Sequence, residues 1–253
     1  MHLFYTPNIA TSLELPEEEA AHALRVLRLS TGDRVMLTDG AGRFFSAEVT
    51  DCTGKRCFVH ILDTLTPASL WHGHLHLALA PTKNMDRLEW LVEKATEIGL
   101  DELSLLDCRY SERHVVKTER LDKILVSAMK QSLKAVKPIL HGMMSFEQFV
   151  QQPFSCQCFI AHCYSEEEVA AGGEDEANRS LSYCATPFRQ PLREALDPDA
   201  DVLVLIGPEG DFSLEEVRMA LALGYQSVSL GNSRLRTETA ALVAVHLMNL
   251  THT

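Results

Sequence analysis

The chain has 253 residues, which is enough for one large domain or two smaller ones. It is 46% hydrophobic and can bury a sizeable core. No apolar run reaches the length of a membrane span, and the chain opens without a basic segment followed by an apolar one, so we expect a cytoplasmic protein that does not enter a membrane. A net charge of −12 usually argues against binding to nucleic acid.

Positive charge is nevertheless concentrated in one stretch, residues 109–137, where basic side chains outnumber acidic ones. Five of these cations recur at helical spacing: Arg120, Lys123, Lys130, Lys134 and Lys137. If the stretch is one helix, they form a single stripe that would attract a polyanion to one track on an otherwise acidic protein. A solvated helix face is the ordinary alternative.

The first 70 residues predict a small β-barrel with one helix. Residues 33–49 read as a hairpin around a glycine turn, and residues 2–5 and 55–62 as further strands. Residues 15–29 predict the helix, with three glutamates near its start and Arg25 and Arg28 near its end, as the helix dipole favours.

From residue 73 onward, strands and helices alternate, which predicts an α/β domain with a parallel sheet and helices on both faces. The pattern predicts helices over residues 84–99 and 118–138, the second ended by Pro138. The predicted strands cover residues 75–81, 102–106, 158–163, 202–207 and 226–231. The acidic, glycine-containing stretch at 166–180 is typical of a mobile loop.

Cysteine and histidine give no sign of a metal site or of disulfides. The seven cysteines are odd in number and contain no CxxC pair, so we expect buried thiols in a reducing compartment. They are Cys52, Cys57, Cys108, Cys156, Cys158, Cys163 and Cys184. His72, His74 and His76 would share one face of a strand, but no acidic or cysteine partner stands at ligand spacing.

Two strand-to-turn-to-helix units lie in the last quarter of the chain. In the first, residues 202–216, Ser213 and Glu216 predict a capping box, and no phosphate-binding glycine motif is present. Because this turn carries the carboxylate of Glu209, it suits a cationic or neutral ligand better than phosphate. A plain strand-to-helix turn is an equal alternative.

The second unit, residues 227–248, repeats the arrangement and adds Arg234 and Arg236 before a helix that is apolar nearly all round. Such a helix has too little polar surface to lie exposed, so we expect a homodimer that covers it. Ligands of open parallel sheets lie beyond the carboxyl ends of strands, and two glycine loops at neighbouring strand ends can hold one between them.

These two units closely resemble the SPOUT class of knotted S-adenosylmethionine methyltransferases. Within that class they resemble the RsmE-type family, which methylates N3 of a uridine in small-subunit (16S) ribosomal RNA. Residues 22–33 resemble the family's N-terminal PUA-like barrel, and residues 83–99, 109–116 and 130–138 its middle blocks. The resemblance implies an α/β trefoil-knot domain over residues 73–253, a PUA-like RNA-binding barrel over residues 1–70 and a homodimer formed through the knotted domain.

The resemblance also implies site residues. The cofactor, S-adenosylmethionine (SAM), is expected between the two loops, with its adenine near Leu230 and Leu235. The expected cofactor-binding residues are Ile206, Gly207, Pro208, Glu209, Gly210, Leu230, Gly231, Leu235, Arg236, Thr237 and Thr239. A valine at position 207 is expected to fill the cofactor's space and abolish binding while the protein stays folded.

Three residues are candidates for catalysis once the target is a uridine. Arg236 can stabilise the uracil anion through the oxygens of the base, and Glu238 can accept the N3 proton. Lys83 ends a strand and can face the same cleft. Their structural alternatives are an arginine that anchors the loop, a carboxylate favoured by the helix dipole and a solvated lysine.

The expected RNA contacts are Arg25, Arg28, Arg113, Arg120, Lys123, Lys130, Lys134 and Lys137. The sequence departs from the family at Asp211, where a second glycine is usual, at Arg234, where an isoleucine is usual, and near Lys130 and Lys134, where the family has an acidic residue and an arginine. Methylation of another RNA site and a catalytically silent RNA-binding module both remain open alternatives.

Overall fold

The computed structural model describes residues 2–171 and 189–253. The chain divides into two compact units, one of Met1–Ser69 with Leu125–Lys137 and the other of Leu70–Ile124 with Pro138–Thr253. Cys184 and most of the loop predicted at 166–180 lie outside the described residues. Within the described ranges, none of the helices is long and apolar enough to cross a membrane.

The first unit contains a four-stranded sheet in the order β1-β2-β3-β4. Its strands are β1 (Leu3–Tyr5), β2 (Arg34–Thr38), β3 (Phe44–Thr53) and β4 (Arg56–Leu65). The predicted hairpin is confirmed, because β2 and β3 pair antiparallel. The predicted helix is short: α1 (Glu17–Ala21) passes into one π-helical turn, and Arg28 then adopts a positive φ of 55°.

The second unit is built on a seven-stranded sheet in which every pair of neighbouring strands is parallel. The order is β7-β6-β5-β10-β8-β11-β9. The strands are β5 (Leu75–Leu79), β6 (Glu102–Asp107), β7 (Ile139–Ser145), β8 (Gln157–Ala161), β9 (Gln190–Pro191), β10 (Val202–Ile206) and β11 (Gln226–Ser229). The predicted parallel α/β sheet is confirmed.

Seven helices lie between or after these strands along the part of the chain that the structure describes. They are α2 (Met85–Ile98), α3 (Thr118–Gln131), α4 (Phe146–Val150), α5 (Glu166–Ala171), α6 (Leu192–Ala195), α7 (Leu214–Ala222) and α8 (Thr237–Thr251). Leu203 and Leu205 of β10 pack in one core cluster with Phe212 and Val217. Side chains alternate along a strand, so the other β10 residues face α8, which packs on β5 and β10.

The helix predicted over residues 118–138 is too long. Helix α3 ends at Gln131, and Leu133 follows in the left-handed region with a φ of 54°. Lys134 is buried rather than aligned on an exposed face. The prediction that five cations form one helical stripe is therefore wrong, because Lys134 and Lys137 lie beyond the end of the helix. The sequence did not indicate this end, since no glycine or proline stands where the chain leaves the helix.

A histidine cluster surrounds Glu102 at the start of β5 and β6. The carboxylate of Glu102 lies 2.7 Å from Nε2 of His74 and 2.6 Å from Nε2 of His141. His76, on the same strand face as His74, bonds to the hydroxyl of Ser104 at 2.8 Å. Burial lowers the pKa of His76 to about 4. Among the described residues, no group of His, Cys, Asp or Glu side chains could hold a metal ion.

The shifted pKa of His76 predicts a pH dependence of stability. An unfolded histidine titrates near pH 6.5, so the stability that comes from the neutral imidazole is complete above that pH and is lost as pH falls toward 4. We expect His76→Gln to remove on the order of 2–3 kcal/mol of this dependence. Denaturant unfolding at pH 7 and pH 4 measures it, with His60→Gln at an exposed position as control. Parallel curves for the two variants would contradict the shift.

Candidate functional site

A cleft of about 640 Å³ lies at the carboxyl ends of β10, β8 and β11. Ten of the residues expected to bind a cofactor line it: Ile206, Gly207, Pro208, Glu209, Gly210, Leu230, Gly231, Leu235, Arg236 and Thr237. The expectation that the two glycine loops follow neighbouring strands is wrong, because β8 lies between β10 and β11. The order of strands along the chain did not reveal this insertion.

The turn after β10 is closed by its own backbone. The N–H of Asp211 donates to the carbonyl of Pro208 at 2.9 Å, and Asp211 adopts a left-handed φ of 70°. This conformation favours glycine, which is the residue that the resembled family has here. The carboxylate of Asp211 accepts the N–H of Phe212 at 2.8 Å and that of Cys163 at 2.9 Å.

The predicted capping box at the start of α7 is confirmed. The Ser213 hydroxyl accepts the N–H of Glu216 at 3.2 Å, and the Glu216 carboxylate accepts the N–H of Ser213 at 2.7 Å. The second oxygen of Glu216 accepts the N–H of Arg109, which follows β6, at 2.9 Å. One buried carboxylate therefore caps α7 and holds the loop after β6.

The end of β8 supplies lining residues that sequence reasoning missed, among them His162, Cys163 and Tyr164. Burial and the nearby Arg189 lower the pKa of His162 to about 3, so the imidazole is neutral. Although Cys163 is an exposed residue, desolvation at the cleft wall and Asp211 raise the pKa of its thiol to about 11, so the thiol stays protonated at neutral pH and is a poor nucleophile. Sequence alone showed this segment only as a short apolar strand.

A second cavity of about 540 Å³ adjoins the cleft, and four residues line both: Arg87, Arg234, Leu235 and Arg236. The others around it are Asp86, Trp90, Glu238 and Thr239. Thr239, expected to bind the cofactor, thus lines this cavity rather than the cleft. The helix α2 residues Asp86, Arg87 and Trp90 were not foreseen as site residues.

Glu238 and Arg236 stand at the start of α8. The Glu238 side chain is buried, with Oε1 3.6 Å from Nη1 of Arg87 and with Oε2 lacking a hydrogen-bond partner among the described residues. Arg236 is the exposed N-cap residue, and its guanidinium makes no ion pair or hydrogen bond within the described part of the chain. A buried carboxylate oxygen without a hydrogen-bond partner among the described residues and an exposed guanidinium thus line the same cavity.

Lys83 occupies a different position from the other two catalytic candidates. Its backbone N–H donates to the Glu209 carboxylate at 2.9 Å, while its exposed ammonium lies 3.1 Å from Glu112. Lys83 lines neither cavity. Arg113, expected to contact RNA, donates to the carbonyls of Thr82 at 3.2 Å and Lys83 at 2.5 Å, so it holds this loop.

The remaining candidates for RNA contacts differ in their exposure and in the ion pairs that they make. Lys130 donates to Glu19 at 2.5 Å, and Arg120 lies 2.6 Å from Glu89 although it is exposed. Lys137 is partly buried, and its backbone N–H donates to the carbonyl of Gly40. The exposed cations are Arg25, Arg28, Arg120 and Lys123.

Comparison with known proteins decides the family. Residues 70–249 match the model of an RNA methyltransferase domain, and residues 15–62 match an RNA methyltransferase PUA domain. The chain belongs to the RNA methyltransferase family. Its N-terminal unit contains a PUA-like domain, and its C-terminal unit contains the methyltransferase domain.

Individual relatives agree with this assignment. A probable rRNA methyltransferase from Porphyromonas gingivalis is 40% identical and superposes with a TM-score of 0.84, covering 100% of this chain and 98% of its own. Ribosomal RNA small subunit methyltransferase E of Rickettsia conorii is 25% identical over 95% of this chain and 90% of the relative. The enzyme of that name from Neisseria gonorrhoeae, solved bound to S-adenosyl methionine, shares the fold with a TM-score of 0.79 at 23% identity, over 99% of this chain and 97% of its own.

The structure changes what a side chain at position 207 should do in this methyltransferase. A Cβ added to Gly207 would lie 3.0 Å from the backbone nitrogen of Phe212, so it meets the turn instead of projecting freely into the cleft. We expect Gly207→Ala to cost about 1–3 kcal/mol of stability and to weaken SAM binding together. Denaturant unfolding and calorimetry measure the two effects.

Gly142→Ala is the matched control, because its added Cβ would meet nothing within 4 Å. If the alanine at position 207 left both stability and SAM affinity unchanged, the packing of this turn against Phe212 would not hold.

Proposed function

We propose that this methyltransferase transfers a methyl group from SAM to N3 of a uridine in 16S ribosomal RNA of the small subunit. The observation that carries the proposal is the pair of joined cavities, in which a cleft lined largely by turns and strand ends meets a buried carboxylate and a free guanidinium. The relatives named as small-subunit rRNA methyltransferases support it. We propose that the enzyme works in the cytoplasm, because its proposed substrate is ribosomal RNA.

The residues of the cleft fit SAM. Its volume of about 640 Å³ lies in the range of small-molecule sites, and its walls are mostly turn and strand-end residues. The Gly207–Asp211 turn carries the carboxylate of Glu209 and no phosphate-binding motif, which suits a cationic ligand. SAM supplies a methyl group on an electrophilic sulfonium, so the protein needs only to position the base and remove its proton.

The chain's own groups can perform that deprotonation. Glu238 has a buried carboxylate oxygen without a partner among the described residues, and this oxygen accepts the proton from N3. Arg236 stabilises the resulting anion, since its planar guanidinium can donate to a uracil oxygen. Nitrogen N3 then takes the methyl group. Lys83 lies outside both cavities, so we assign it no chemical step.

We propose that the RNA backbone is held by exposed cations and that the N-terminal unit contributes Arg25 and Arg28. These side chains carry charge on the surface of a protein with net charge −12, so they attract phosphates locally. Arg120 and Lys123 of α3 are also exposed. Phosphate contacts position the RNA, whereas the cavities choose the base.

The SPOUT resemblance carries two further proposals, a trefoil knot in the C-terminal chain and a homodimer through that domain. An apolar stripe on α8 supports the dimer, because its members are only partly buried or exposed in the single chain. The stripe consists of Leu242, Val243, Leu247 and Leu250, and the exposed His246 lies among them. A second copy would remove this apolar surface from water.

Substitution of Arg236 tests the proposed chemistry. We expect Arg236→Gln to lower the single-turnover rate of methyl transfer to 16S RNA by roughly 10²–10³, because a donor to the developing anion is lost. Arg236→Lys should recover part of the rate, since it keeps the charge but not the planar fork. Mass-spectrometric mapping of methylated uridines identifies the product. Rates equal to those of the exposed control Arg193→Gln would rule out this role.

Two sets of substitutions test the RNA contacts. We expect the double variant Arg25→Gln with Arg28→Gln to bind RNA more weakly. The slope of the logarithm of its affinity against the logarithm of salt concentration should become shallower by roughly one for each lost phosphate contact. Lys130→Gln should instead lower stability, because it leaves the buried Glu19 carboxylate without its cation. Filter binding across a salt series and thermal melting separate the two effects. An unchanged salt slope in the double variant would show that the two arginines do not contact RNA phosphates.

A further inference from the structure

The second cavity has features that cofactor binding does not use. It is bordered by the first turns of α2 and the start of α8, and it opens next to the cleft through the four residues that line both spaces. Trp90 lines only this second cavity and is 44% exposed, although it lies on a helix whose other large apolar side chains are largely buried. An exposed indole beside a cavity offers a flat surface for a ring.

The polar groups of this cavity form a pattern of hydrogen-bonding partners. The Glu238 carboxylate is an acceptor whose Oε2 has no partner in the described part of the chain, and a buried acceptor without a donor is costly. The guanidiniums of Arg87 and Arg236 line the same cavity, and Nη1 of Arg87 is 3.6 Å from Oε1 of Glu238. The cavity thus places the carboxylate of Glu238 together with the guanidiniums of Arg87 and Arg236, and Asp86, Arg234 and Thr239 complete its polar lining.

We propose that this cavity is the slot for the target base and that Arg87 and Trp90 make it specific for uracil. The imide edge of uracil presents O2 and O4 as acceptors on either side of the N3–H donor, which complements two guanidiniums and a carboxylate. Trp90 stacks on the ring. The inference rests on the proposed function and adds the residues that select the base.

The same pattern discriminates against cytosine and against the product. Cytosine has no N3–H for Glu238, and it replaces one carbonyl by an amine that would face a guanidinium. Methylation moves the N3 proton to Oε2 of Glu238 and leaves a methyl group on N3, so the product has no donor for the carboxylate. The slot therefore favours the unmodified uracil over the methylated one.

Fluorescence of Trp90 tests the slot without catalysis. The chain has two tryptophans, and Trp71 is only 9% exposed, so acrylamide quenching reports mainly on Trp90. With S-adenosylhomocysteine bound, we expect a hexamer of uridine to protect the protein from acrylamide severalfold better than a hexamer of cytidine. Equal protection by both hexamers, or none by either, would overturn the inference.

Substitutions at the two α2 residues test the slot during turnover. We expect Trp90→Ala to lower kcat/KM for RNA by roughly ten- to hundredfold, and Trp90→Phe to retain most of it, since a phenyl ring still stacks. Arg87→Gln should lower kcat/KM by a similar factor and relax the preference for uridine over cytidine hexamers. Arg193→Gln is the exposed control on the same unit.

The readouts separate failure of the slot from failure of the proposed function. Trp90 lines only the second cavity, so Trp90→Ala should leave SAM affinity unchanged by calorimetry. If the parent methylates 16S RNA and Trp90→Ala does so equally well, the slot is wrong and the function stands. If the parent methylates no RNA yet its tryptophan prefers uridine, the proposed reaction fails and the slot stands.

Discussion

The cleft depends on a turn that holds one residue in a conformation that L-amino acids disfavour. Asp211 has a left-handed φ of 70°, which costs on the order of 1 kcal/mol for a residue with a Cβ. Its carboxylate offsets this cost by accepting the N–H groups of Phe212 and Cys163. Because Cys163 follows β8 and Asp211 follows β10, one side chain ties two neighbouring strand ends together. Glycine at this position would remove both the backbone strain and the side-chain hydrogen bonds to Phe212 and Cys163.

Further bonds extend the same bracing across the sheet. The Tyr164 hydroxyl donates to the carbonyl of Phe212 at 2.8 Å, and Glu216 joins the α7 cap to the backbone of Arg109. The ends of β6, β8 and β10 are therefore fixed by side chains that do not need to contact a ligand. Such preorganisation matters for a reaction in which the protein contributes position and charge rather than a covalent nucleophile.

Sequence patterns predicted what depends on local chemistry. Apolar runs, unbroken in β10 and interrupted only by His76 in β5, predicted these two buried strands. Ser213 with Glu216 predicted the α7 cap. Both predictions succeeded because burial and capping follow from residues close in the chain. The position of β8 between β10 and β11 could not be predicted, since strand order depends on how distant segments pair. The end of α3 was missed for a different reason. Leu133 adopts a left-handed conformation, which a leucine in the sequence does not predict.

The residues that line the cleft were easier to predict from the sequence than those that line the second cavity, and the kinds of residue involved explain the difference. Glycine loops mark a backbone-lined cleft directly, because glycine is needed where a turn is tight. A slot built from side chains on an ordinary amphipathic helix leaves a weaker signal. Arg87 reads as a surface cation, and Trp90 differs from its neighbours only in being a large apolar residue on the polar face of α2. That exposed indole becomes informative when it stands beside Glu238, whose buried oxygen still needs a donor.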